Sequence, residues 1–193
     1  MNNEKINKTN PLYLLVFILA PIVIGGAVLV IDFLVLPENI GPIVSILVFA
    51  AAVTWWSYGA KAILKRQQKK LEKQLDEQGF RRNQTFNSKN CTVIVDVNTG
   101  MMALLFTWNP FHPYVLPASR ISKVWVDDGR SGKGMMEGSS QVSFLFTIDG
   151  VTVRVYTFTS NKRWKMTDNY ILTGISKADM MAEVLENARK RGA

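Results

Sequence analysis

Of the 26 positions from Pro11 to Leu36, in the run PLYLLVFILAPIVIGGAVLVIDFLVL, only Asp32, near the end, is charged. The run exceeds the roughly 20 apolar residues needed to cross bilayer hydrocarbon. It is also longer than the ~7 to 15 residues of a signal-peptide core, and no clean small-residue cleavage site follows it. A second apolar run extends from Ile40 through Leu47 and Val53 to about Ala60, after the link LPENIG with its breakers Pro37 and Gly41. So short a link predicts an antiparallel transmembrane hairpin, with spans over about 11–36 and 40–60. Pro21 and the Gly25-Gly26 pair either bend the first span or admit close helix approach, or simply reflect the frequency of these residues in membrane helices.

The second run ends in WWSYGAKAILKRQQKK. Trp55, Trp56 and Tyr58 sit where an aromatic belt marks the membrane surface, and Lys61, Lys65, Arg66, Lys69 and Lys70 follow directly. These eight are the candidate membrane-interface residues. The five cations are expected to gain about 1 kcal/mol each near anionic headgroups, within a Debye length. Ile63, Leu64, Leu71 and Leu75 recur at helical spacing and Gly79 supplies a stop, which predicts a basic connector helix over 61–79.

The net charge of +8 invites a nucleic-acid reading until it is mapped along the chain. Residues 61 to 82 hold eight Lys and Arg against three Asp and Glu, and the remaining excess is spread thinly. The aromatic residues beside the basic run are accounted for by the lipid boundary, so nucleic acid is not an expected partner. The link between spans has no Lys or Arg, whereas residues 1–10 carry Lys5 and Lys8. The positive-inside rule then puts both termini in the cytoplasm, with a cytosolic tail over 1–10 and a cytosolic domain over 80–193. Asp32 is the candidate for an intramembrane polar role; its place near the end of the span also allows it to reach headgroups.

Past Arg82 the pattern shifts to period two. TVIVDV (92–97), a turn at Asn98 to Gly100 and MMALLFT (101–107) read as a hairpin. WNPFHPYVLP, with three prolines, reads as a loop with at most a short extended piece. ISKVWVDD (121–128) is a further strand, and GRSGKGMMEGSS is too rich in Gly and Ser to be regular. QVSFLFTIDGVTVRVYTF predicts two long strands around an Asp149-Gly150 turn. Ser176 is read as the cap of a closing helix, with Met181, Val184, Leu185 and Ala188 as its apolar stripe. The sum is a mainly antiparallel α+β domain of about 110 residues.

CTVIVDVNTGMMALL, YVLPASRISKVWV, the Asp149-Gly150 hairpin and the final helix together resemble poorly characterised bacterial inner-membrane proteins in which a helical hairpin precedes a pleckstrin-homology-like (PH-like) domain. The resemblance covers roughly residues 80–190. It implies a β-roll of five to seven strands closed by the C-terminal helix. Phosphoinositide-binding domains of that type carry a basic pocket mainly around the first hairpin; here Asp96-Val97-Asn98-Thr99-Gly100 has no Lys or Arg.

No catalytic, cofactor or metal constellation emerges. One Cys (Cys91) and one His (His112) cannot build the usual zinc sites. Gly134 is followed by Met135, which breaks the phosphate-loop pattern. Cys91, beside a valine-rich strand, reads as a small buried hydrophobe, and Asp127 and Asp128 point to opposite faces of a strand. Lys162, Arg163, Trp164 and Lys165 form a candidate contact for an anionic partner, or an exposed loop; Met135 and Met136 are either an adaptable contact or packing. The expected function is that of a non-enzymatic inner-membrane protein. Its cytosolic domain mediates self-assembly or partner binding through edge strands and the loop 129–140, at a surface that also meets anionic lipid. The alternative is an oligomeric membrane-active effector or transporter component, of pore, defence or exclusion type.

Overall fold

A computed structural model describes residues 6–35, 40–132 and 137–192. The side chains of Asp32 and Trp56, and residues 133–136 with Met135 and Met136, lie outside the described set. Two apolar helices, α1 (Pro11–Val35) and α2 (Gly41–Thr54), lead into α3 (Ala60–Glu77) and a sheet domain. Asn10 caps α1 by accepting the Leu12 and Tyr13 amides at 3.0 and 3.2 Å, ahead of Pro11 at the first helical position. α1 is long and apolar enough to cross a membrane over Pro11–Ile31. α2 has 14 residues, about 21 Å of helix, which is less than the hydrocarbon thickness. Its backbone stays helical through a wider π turn, Trp55–Gly59, into α3. Phe17 meets Trp55 at 6.3 Å and Pro21 shares a cleft with Ala52, so α1 and α2 run antiparallel.

The domain is α+β. Strands β1 (Gln84–Asn87), β2 (Cys91–Asp96), β3 (Met101–Phe106) and β4 (Asn109–Pro117) form one antiparallel sheet in sequence order. β5 (Ile121–Asp127), β6 (Gly138–Ile148) and β7 (Val151–Lys165) form a second. The final helix, α4 (Asn169–Arg191), closes the core with Ile171, Gly174, Ala178, Met181, Leu185 and Ala188, a spacing of three and four residues throughout. Asp149 (φ 51°) and Gly150 (φ 77°) make the β6–β7 turn with both residues left-handed, as two-residue hairpins require.

Three expectations need correction. WNPFHPYVLP is not a loop, since β4 runs through it for nine residues. The Ala118 amide donates to Gly100 O at 2.8 Å on the β3 side. Alternation therefore turns the amide positions of 113, 115 and 117 to the open edge, and two of the three are proline, which has no donor to waste there. The closing helix begins at Asn169, after Asp168, and not at Ser176. Gly174, in the second turn, is buried where α4 crosses β7, and a Cβ on it would lie 2.8 Å from Phe158 Cβ. The SNKRWK segment belongs to β7; Thr159 pairs with Gln141 and Trp164 with Ser139, so residues 160–163 bulge from a continuing strand.

β2 is buried at all six positions and β3 at five. Alternate residues serve two cores: Val93, Val95, Met102 and Leu104 face α4 and the second sheet, while Ile94, Ala103 and Leu105 face outward. The outward set is covered by Leu71 and Leu75 of α3, with Leu64 and Phe80 beside them. α3 ends in a Schellman turn. Gly79 (φ 74°) donates to Asp76 O at 3.0 Å, Phe80 donates to Leu75 O at 2.9 Å, and Phe80 packs into the same cluster as Leu75. Leu75→Ala should lower the stability of the detergent-solubilised chain by about 2–4 kcal/mol, read by denaturant titration of tryptophan emission. A loss under 0.5 kcal/mol would mean that α3 does not dock on the sheet.

Candidate functional site

The sheet domain and the base of the helical pair meet at one place. Residues 6–10 lie along the end of β4, with Ile6 buried in the main core. The Asn7 amide donates to the Tyr114 hydroxyl at 2.9 Å, and the Asn109 side chain donates to Asn7 O at 2.9 Å. Thr9 pairs with Trp108 in a parallel bridge, and the Asn10 amide donates to Trp108 O at 2.9 Å. One turn into α1, Tyr13 stacks on Phe17 at 5.7 Å and meets Phe111 edge-on at 5.8 Å. The start of α1 is thus hydrogen-bonded to the β3–β4 turn.

The predicted interface residues fall around this junction. Trp55 is half exposed and lies against Phe17, and Tyr58 is exposed. Lys61, Lys65, Arg66, Lys69 and Lys70 are all exposed; Lys61 flanks the stripe of Leu64, Leu71 and Leu75, and the other four lie further round the helix from it. From Lys61 to Lys70 the helix rises about 13 Å, more than a Debye length at physiological salt. In a helix leaving a bilayer upright, headgroup attraction is therefore concentrated on Lys61, Lys65 and Arg66. The Gly25-Gly26 pair does not bring helices close: a Cβ on either would meet nothing within 4 Å. Both sides of the α1–α2 contact are open apolar clefts of about 430 and 380 Å³ that include Gly25.

The candidate anionic contact divides in two. Arg163 is committed to backbone, donating to Ser131 O and, at 3.3 Å, to Gly138 O. Trp164 is half-buried, stacks at an angle on Tyr170 at 5.0 Å and donates to Ser160 Oγ at 3.0 Å. Lys162 and Lys165 remain exposed. Arg163 and Trp164 hold the bulge in shape, and two lysines are left for a ligand. The aspartate pair also divides, Asp127 pairing with Arg154 at 3.0 Å and Asp128 with Arg130 at 3.1 Å.

The first hairpin is β1–β2 and not the one expected at Asp96 to Gly100, and its turn, Ser88 to Asn90, which contains Lys89, seals the open edge of β7. Ser88 Oγ accepts the Tyr156 amide at 2.9 Å, and the Asn90 side chain donates to Arg154 O. Beyond the seal lies a cleft of about 350 Å³ with a mixed polar and apolar lining, between Asn87–Lys89 and Tyr156–Thr159. It brings together amides, hydroxyls and Lys89, a set that can hydrogen-bond a ligand but contains no nucleophile with a base. Cys91 is fully buried, and burial pushes its thiol up to about 12 against a small opposing effect of Lys8, so it is no nucleophile at neutral pH. His112 is exposed and lies edge-on to Tyr114 at 5.1 Å. Among the described residues no three His, Cys, Asp or Glu side chains converge.

Asp96 is a buried acid with a structural task. Burial by itself pushes its pKa up, but the amides of Arg81 (2.9 Å), Asn98 (3.0 Å) and Thr99 (3.3 Å) and the Thr99 side chain outweigh it and hold the carboxyl below its ordinary value. It ties the chain leaving α3 to the β2–β3 turn. A depressed folded-state value contributes stability above the unfolded value and loses it as pH falls through the folded one. Asp96→Asn should therefore cost about 1–3 kcal/mol at neutral pH, with the gap to wild type closing below about pH 4 in denaturant titrations. A gap independent of pH would rule out the carboxylate as the cause.

Comparison with protein-family models, with curated proteins and with solved structures gives no match to this chain.

Proposed function

We propose that this chain is a non-enzymatic protein of the bacterial inner membrane, with α1 and α2 as a transmembrane hairpin and both termini cytoplasmic. Its PH-like roll would mediate self-assembly or partner binding at the membrane surface. The observation that carries this reading is the strap of residues 6–10: it ties the start of α1 to the same domain that α3 enters, so both outer ends of the apolar pair lie on one side. A hairpin satisfies that constraint; a single span would need the chain to double back inside the hydrocarbon. The exposed Leu12, Ile22, Val23, Ile46, Leu47 and Phe49 are the surface that lipid would cover. Four strands, then three, then a closing helix support the PH-like reading.

The sheet edges bear on how a partner is met. β4 presents prolines, β7 is sealed by Ser88 and Asn90, β1 has only four residues, and the Ser122 carbonyl on β5 accepts from Arg189 at 3.3 Å. Such edges resist strand addition. A partner of the domain would then be met away from the strand edges, as on the basic side of α3, and the apolar clefts beside Gly25 would add a helix contact between copies.

In intact cells, an impermeant thiol reagent should label Glu38→Cys in the link and spare Asn98→Cys in the domain until the membrane is opened. Native mass measurement in nanodiscs should then give more than one copy, or in-cell crosslinking a partner. Labelling at Asn98 in intact cells refutes the orientation, and a monomer with no crosslinked partner refutes the assembly role.

A further inference from the structure

The β3–β4 turn and the start of β4 carry two large aromatic side chains that the domain leaves in the open, Trp108 at 40% exposure and Phe111 at 56%. Nothing in the fold of a water-facing sheet tip calls for them, since β3 and β4 are already closed by Phe106 pairing with Asn109. Their height relative to α1 is set by backbone. Trp108 is bridged to Thr9 and accepts from the Asn10 amide, so it stands level with the cap of the apolar helix; Phe111 packs on Tyr13, one turn further in. Tryptophan at that level is where a membrane protein places its interfacial belt. The charge around the turn agrees. Segments 6–10, 88–91 and 107–113, which meet here, contain Lys8 and Lys89 and no carboxylate.

We propose that the β3–β4 turn, with the start of β4, is an interfacial lipid contact, in which Trp108 and Phe111 of the sheet domain enter the headgroup and upper acyl region beside α1. The inference rests on the membrane reading of α1 and adds to it a second, non-helical attachment. The domain then lies against the bilayer on its β4 end instead of standing off on α3. Lys8 and Lys89 flank the inserted rings and would meet lipid phosphates, while the β2–β3 turn at the other end of β3, about 20 Å away, points to water. The partner is committed by continuity: the surface that covers α1 begins at Asn10, and Trp108 is hydrogen-bonded to that residue.

The test uses the full chain in vesicles containing anionic lipid, with an environment-sensitive fluorophore on single introduced cysteines and lipids spin-labelled high on the acyl chain as quencher. Buried Cys91 stays in place, and the unsubstituted protein gives the background. The three positions are Phe111→Cys at the start of β4, Leu19→Cys within α1 and Asn98→Cys at the far turn. Quenching at Leu19 and Phe111 but not at Asn98 is the expected result. Quenching at Leu19 alone overturns the proposal and leaves the membrane reading intact. No quenching at any position overturns the membrane reading itself.

Discussion

The strap of residues 6–10 is the constraint from which the arrangement follows. Burying Ile6 and holding Asn7 between Tyr114 and Asn109 fixes where α1 begins relative to the sheet. The helical backbone from α2 through α3 fixes where the apolar pair returns. Two attachments on one domain leave the pair little choice but to go out and come back. Without the strap, the hold of the sheet domain on α1 among the described residues would come down to side-chain contacts such as Tyr13 on Phe111.

The second attachment explains why the first sheet is buried on both faces. A sheet that packs one face on a core normally alternates apolar and polar residues. β2 and β3 do not alternate, because α3 supplies a second layer over Ile94, Ala103 and Leu105. The same helix therefore has two chemically opposite sides. Its leucines stabilise the domain, and its lysines and arginine face outward, available to headgroups near Lys61 and to a soluble acidic surface further along. The connector is a structural layer of the domain rather than a tether.

Function in such a molecule concentrates where polar and apolar surfaces change places. The buried groups that could suggest chemistry are accounted for structurally: Cys91 is packed away from water, and Asp96 binds amides at a chain crossing. The edges are blunted by proline, side-chain seals and a short strand. What remains exposed and unusual is the aromatic rim at the base of the helical pair, together with the basic side of α3 and the clefts beside Gly25.

By itself the sequence determined the apolar run of α1, the Gly79 stop, the Asp149-Gly150 turn and the late stripe of α4, because each depends on local periodicity or on one residue's backbone preference. It misled at β4, where Pro113 and Pro117 suggest a loop but stand at amide positions on the strand's open edge, and Pro110 falls where the register shifts. It misled again at the start of α4, where Ser176 has the residue type of a cap but lies inside a helix that begins at Asn169. The short, polar β1 gave no signal, since only Phe86 turns inward. The union of residues 6–10, the β3–β4 turn and Phe111 was decided by tertiary structure alone. Those segments lie about a hundred positions apart, and no local pattern encodes which surface a short polar tail will meet.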